Sequence, residues 1–132
     1  MIRQPSIIEK PWGTEEIWSN APSYIGKILT INPRQRLSRK YHKVRNHTIR
    51  ILQGDLIVEV GPFEAQGEIT EVRLTPGTAY HIPSMVIHRL CAGLDGVVLV
   101  EVSNAGTGDA VRLEDDYRRV TDIPQEIKAS GK

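Results

Sequence analysis

Cysteine is almost missing from this chain: Cys91 stands alone among 132 residues. One thiol excludes an intrachain disulfide framework and suits a reducing compartment, so the expectation is a cytoplasmic protein. Neither sign of charge is in excess, with 17 Lys and Arg against 16 Asp and Glu. That balance argues against nucleic acid or a membrane surface as the partner. Long apolar runs are lacking too, and none approaches the roughly 20 residues that cross a bilayer. Helical patterning is nearly absent, and no linker, internal repeat or low-complexity tract divides the chain. Residues 1–132 therefore read as one domain, long enough for a sizeable core.

The patterning that is there has period two. Residues 25–31 alternate and are closed by Asn32-Pro33. Residues 47–52 place His47, Ile49 and Ile51 on one face and Thr48, Arg50 and Leu52 on the other. Gln53-Gly54-Asp55 predicts a tight turn, since glycine reaches positive φ cheaply, with residues 56–60 returning as the hairpin partner. Gly61-Pro62 ends that strand. Residues 69–74, the Pro76-Gly77 turn, and strands 78–82, 86–90 and 97–102 follow. Short strands between Gly and Pro turns predict an antiparallel all-β sandwich or barrel, its core about residues 24–104. The tail from Thr107 is polar, with residues 114–119 either a short helical turn or an edge segment.

Three of the four histidines fall where strands could gather them. His47 opens an alternating strand beside Ile49 and Ile51, and His88 shares a face with Val86 and Leu90. His42 precedes His47 by five residues, a spacing that puts the two on opposite faces of an unbroken strand. They converge only if residues 43–46 form a bulge or turn. A single histidine is usually a surface or hydrogen-bonded residue; the grouping is what points to a divalent metal.

This arrangement resembles the cupins, whose first motif is Gly-x5-His-x-His-x3-4-Glu-x6-Gly and whose second is Gly-x5-Pro-x-Gly-x2-His-x3-Asn. His47, seven residues before Gly54, falls on the glutamate position, and His42 lies near the first histidine. Gly77, Pro83 and His88 reproduce the spacing of the second motif. Val44 stands where a further histidine is expected, His47 replaces the glutamate, and Met85 replaces a glycine. Arg34 stands where Pro-Gly is usual. The resemblance implies an antiparallel jelly-roll barrel, the cupin-type double-stranded β-helix, with His42, His47 and His88 as metal ligands. Exchanging the carboxylate for an imidazole removes an anionic ligand that Mg²⁺ and Mn²⁺ favour, so Zn, Ni or Fe suits the set better.

Several stretches are similar to one branch, the cupin domain of type II mannose-6-phosphate isomerases without its mannose-1-phosphate guanylyltransferase half. They are Glu9-Lys10-Pro11-Trp12-Gly13, Tyr24-Ile25-Gly26-Lys27-Ile28-Leu29, Gln35-Arg36-Leu37-Ser38 and Val111-Arg112-Leu113-Glu114-Asp115-Asp116-Tyr117. This resemblance implies aldose–ketose isomerisation of a sugar phosphate, with a metal polarising the C1/C2 oxygens while a base moves a proton. Lys27 and Arg112 become candidates for binding phosphate or stabilising the enediolate, and Glu101 for the base. His81, Tyr80, Tyr117 and Trp12 are candidate substrate contacts, each with a packing or hydrogen-bonding role as the alternative. Cys91 reads as core filler. Arg118 stands where the family has glycine, which predicts a differently turned tail. Two other functions fit a three-histidine cupin: a non-catalytic sugar-binding or regulatory module, and an Fe(II) dioxygenase. Small cupins often pair through edge strands, so a homodimer is expected.

Overall fold

The structure is a computed structural model and describes residues 1–105 and 109–119. The strands are β1 (Ser6–Lys10), β2 (Gly13–Asn20), β3 (Tyr24–Ile31), β4 (Arg39–His42), β5 (His47–Pro62), β6 (Thr70–Leu74), β7 (Ala79–Ile82), β8 (Val86–Asn104) and β9 (Ala110–Glu114). Every pairing is antiparallel, in the order β1-β2-β3-β8-β4-β9, with β5 joining β6, β7 and β8. This is the expected all-β class, a sheet curled into a half-barrel. Inside it pack Ile49, Ile51, Leu56, Val58 and Leu99, all closed to solvent. Among the described residues no helix is long and apolar enough to cross a membrane.

The expected hairpin between residues 47–52 and 56–60 does not form. Both halves belong to β5, which pairs with β8 along its whole length and shifts register on each side of Gly54. Likewise 86–90 and 97–102 are two halves of β8, which loops out residues 93–96 between Ala92 and Val97. Gly54 and Gly96 have φ of 82° and 76°, and a Cβ on Gly54 would stand 2.1 Å from the Gly96 carbonyl oxygen. Close glycines let the two long strands bend together and cover both layers of the core. Alternation reads the same on either side of a bulge, and a positive-φ glycine serves a bulge as well as a hairpin.

Two strands ahead of residue 24 carry no clean alternation and were not predicted. β1 is an open edge, with Ile7 and Ile8 exposed. The tail forms strand β9 along β4, followed by a turn in which Asp115 accepts from the backbone N–H of Tyr117 and Arg119. Here the expectation of a different turn is overturned: Arg118 adopts φ of 57°, the glycine conformation. Arg34 and Met85 do the same at 63° and 65°. Among the described residues these are the non-glycine positions with positive φ, and all three stand at glycine positions of the motifs. Neighbouring bonds hold them there, Arg34 N–H to the Gly93 carbonyl at 2.9 Å and Met85 N–H to the His42 carbonyl at 2.7 Å. The left-handed conformation costs about 1–2 kcal/mol per residue, which the surrounding pairing outweighs.

Candidate metal centre

The turn that the histidine spacing demands is present. β4 ends on His42, residues 43–46 turn, and β5 begins on His47. Asp109 builds this corner: its Oδ2 accepts from the backbone N–H of Val44 and Arg45 at 3.0 and 2.7 Å, and its Oδ1 lies 3.1 Å from His42 Nδ1. His88 arrives on β8, opposite Lys40 of β4. The three ring centroids are 5.3, 5.7 and 5.0 Å apart, and one ligand atom from each residue lies within 4.8 Å of the others. All three side chains are buried, at 5, 4 and 2 % exposure for His42, His47 and His88.

Each Nδ1 has an oxygen behind it. Asp109 serves His42, the Val86 carbonyl serves His88 at 3.1 Å, and Glu101 Oε2 stands 3.4 Å from that of His47, too misaligned for a full hydrogen bond. Meanwhile Nε2 of His47 and of His88 is buried with no hydrogen-bond partner. A buried ring nitrogen without a partner is costly unless something binds it, and an oxygen on the opposite nitrogen is the usual support for a metal-bound histidine. The residues fit a divalent metal. Burial, then the charge of Lys40, pushes His42 down to about 3. His88 is pushed well down by burial and then by His47. Both are therefore neutral at ordinary pH, as a ligand must be.

The cluster opens on a cavity lined by Lys10, Lys27, Lys40, Arg45, Arg112 and Arg119, against two carboxylates, Glu15 and Glu101. Trp12, Leu29, Leu37 and Leu90 supply its apolar wall. Burial would raise Glu101, but His47 and then Lys27 outweigh it and hold the carboxyl well below its usual range. Lys40 is pushed down to about 7, by burial first and then by the guanidiniums of Arg112 and Arg119.

Residues 2–122 match the model of the family described as mannose-6-phosphate isomerase C-terminal. The chain belongs to this family. Among solved structures it is similar to CapF, a capsular polysaccharide assembling protein from Staphylococcus aureus, with a TM-score of 0.77 at 15 % identity. That match covers 86 % of this chain and 33 % of CapF, so the chain spans about a third of CapF's length. KdgF from Halomonas sp. aligns with a TM-score of 0.66 at 17 % identity, over 81 % of this chain and 92 % of its own. The Cnp3 cupin domain of Schizosaccharomyces pombe aligns at 0.58 and 17 % identity, covering 70 % and 65 %. At such identities the likeness shows the fold, which is that of a cupin. Comparison with curated proteins found no match.

Within this cupin the structure gathers most of the residues singled out from sequence. His42, His47 and His88 meet, and Glu101, Lys27, Arg112 and Trp12 line the same cavity. Lys27 is already engaged by Glu15, whose Oε2 lies 3.2 Å from its Nζ. His81, Tyr80 and Tyr117 are placed elsewhere. On β7 the parity runs against His81: Ile82 pairs with the inward His47, so His81 pairs with Thr48 on the outside and bonds its hydroxyl at 3.0 Å. Tyr80 packs against the core, and so does Tyr117, whose hydroxyl donates to Gln35. The sequence reading missed Lys40, Asp109 and Arg119. Lys40 was legible by parity, two residues before His42 on the same strand. Asp109, 67 residues from His42, carries no local signal.

Proposed function

We propose that this cupin is a metal-dependent isomerase of a phosphorylated sugar, catalysing an aldose–ketose conversion of the mannose 6-phosphate type. One observation carries the reading: three buried imidazoles, two with unpartnered Nε2 atoms, gather beside a cavity lined by six lysines and arginines and two carboxylates. A divalent ion held by His42, His47 and His88 would supply the Lewis acidity that lowers the pKa of a hydroxyl or polarises a carbonyl at C1 and C2. With three neutral ligands the set suits Zn, Ni or Fe.

Glu101 is the carboxylate available to take a proton from one sugar carbon and return it to its neighbour. It stays ionised beside His47 and Lys27. Lys27, cross-strand from Glu101, faces the negative charge that develops on an enediolate. The leucines and Trp12 keep water from that intermediate. The cationic lining favours a phosphate over a neutral sugar.

The test is NMR of mannose 6-phosphate with metal-loaded protein. Conversion to the ketose supports the reading, and no conversion of any aldose phosphate in a panel, with metal bound, overturns it. Thermal stabilisation by such sugars without turnover would instead identify a non-catalytic sugar-binding cupin.

A further inference from the structure

The second half of β8 is apolar on both faces. Val97 and Leu99 pack into the core, while Val98, Val100 and Val102 alternate with them on the outer face. A strand with one solvated face normally carries polar residues there, and a strand apolar on both sides is one that is covered on both. The outer face stays apolar beyond β8. Ile28 of β3 pairs with Val100, and Trp18 lies over Gly26, where a Cβ would stand 2.5 Å from the indole ring. Val102, Leu52, Trp18 and Ile7 are all exposed. Apolar side chains gathered on neighbouring strands mark an interaction surface, unlike single ones scattered over a protein.

The charges at the margins of this face indicate what covers it. One row of paired residues crosses from β7 to β1 and reads Ala79, Arg50, Val100, Ile28, Glu16, Ile7. Arg50 stands one strand outside the β8–β3 pair and Glu16 one strand outside it on the other side, so the row is apolar at its centre with opposite charges at matching distances. Among the described residues neither of the two forms an ion pair within the chain. We propose that this face is the interface of a homodimer, two copies stacked sheet on sheet about a two-fold axis that runs along the strands between β3 and β8. That axis reverses the row: Val100 meets the partner's Ile28, and each Arg50 meets Glu16 of the partner subunit. Stacked sheets are turned by about 30°, which displaces the charged pair by about 4 Å, within the reach of an arginine side chain. Strands about 4.8 Å apart and about five residues long, from β7 to β1, present about 500 Å² on each copy, so the pair buries about 1,000 Å², where specific interfaces begin. The inner faces of the same two strands carry Lys27 and Glu101, so the second copy braces the cavity wall from behind. The inference is independent of what the cavity binds.

Sedimentation equilibrium of the full chain across micromolar concentrations tests this, with a dimer as the expected result. Val100→Lys puts an unpaired ammonium into the middle of the interface twice over and weakens the dimer about a hundredfold or more. Arg50→Glu and Glu16→Arg each turn two attractions into two repulsions and weaken it about tenfold. Combining the two reversals restores the attraction, and the double variant returns to within about threefold of wild type. Circular dichroism checks that each variant is folded; if Val100→Lys is not, the charge reversals on the exposed margins decide. A chain that stays monomeric throughout overturns the interface, its outer face then being covered by another protein or by the remainder of the chain. A dimer indifferent to the single reversals, or a double variant no tighter than either single one, overturns it as well.

Discussion

The inner and outer faces of the β4–β9 region each carry three cations and treat them differently. Outside, Arg36 meets Asp116 at 2.7 Å, Arg39 meets Glu59 and Glu114 at 2.6 and 3.0 Å, and Arg89 meets Glu114 and Asp116 at 3.3 and 3.0 Å. Arg89 is 1 % exposed and also donates to the Leu37 carbonyl at 2.8 Å. Inside, Lys40, Arg112 and Arg119 crowd together, with Glu101 and Asp115 as the nearby carboxylates and Asp115 engaged by Arg119. A register shift in β4–β9 separates the faces: Lys40 pairs with Arg112 and Arg39 with Glu114, so a bulged residue turns Glu114 outward. A balanced network belongs to the folded chain by itself, since each charge already has its partner. On the inner face, burial and then the two guanidiniums lower the pKa of Lys40 to about 7, so its ammonium form is disfavoured there.

Metal content gives the largest expected effect on this comparison. His88→Ala, on the inner face, lowers bound metal at least tenfold by elemental analysis, whereas His81→Ala retains it. Equal losses would place the first ligands elsewhere. Acid comes next. In metal-free protein His42 and His88 resist protonation while the unfolded chain does not, so stability falls as pH drops below about 6.5. The slope is about 1.4 kcal/mol per pH unit for each histidine, and for His42 it continues towards about 3. On the outer face Asp116 is held below its usual value, chiefly by Arg36, and its contribution is lost only as pH falls through that lower range. Urea titrations across pH 4–8, with and without metal, separate the two; a flat profile in the metal-free protein would refute the inner-face account.

Substitutions of similar size then contrast the faces directly. Arg89→Met strands the buried Leu37 carbonyl, takes one of two partners from Glu114 and Asp116, and costs about 3 kcal/mol in urea unfolding. Lys40→Met removes a buried lysine whose pKa burial lowers to about 7, and stabilises the fold by about 1–2 kcal/mol at pH 7.5. A loss of stability with Lys40→Met would mean that Lys40 is structural. The smallest effect belongs to Met85→Gly, which relieves the left-handed backbone but frees the unfolded chain, for a net change within about 1 kcal/mol in thermal unfolding.

Much of the fold was legible because period-two alternation reports burial residue by residue. It located β3, β6 and β7 to within two residues. It could not tell a bulge from a hairpin at Gly54, since both ask the same of glycine. Nor could it see β1 and β2, whose exposed edge lacks a clean alternation. The site was legible where ligands sit on alternating strands, as with His47 and His88. Lys40 shows the reverse: its parity with His42 was readable, but a lysine beside a histidine attracts no notice until Arg112 is known to lie opposite.

By itself the sequence determined the all-β class, the three histidines and the cupin family, because strand parity and motif spacing are local properties of the chain. Tertiary structure decided which charges are balanced. Asp109 reaches His42 across 67 residues, and the β9 bulge sends Arg112 inward and Glu114 outward. Electrostatic partnership depends on distance in space, and distance along the chain does not report it.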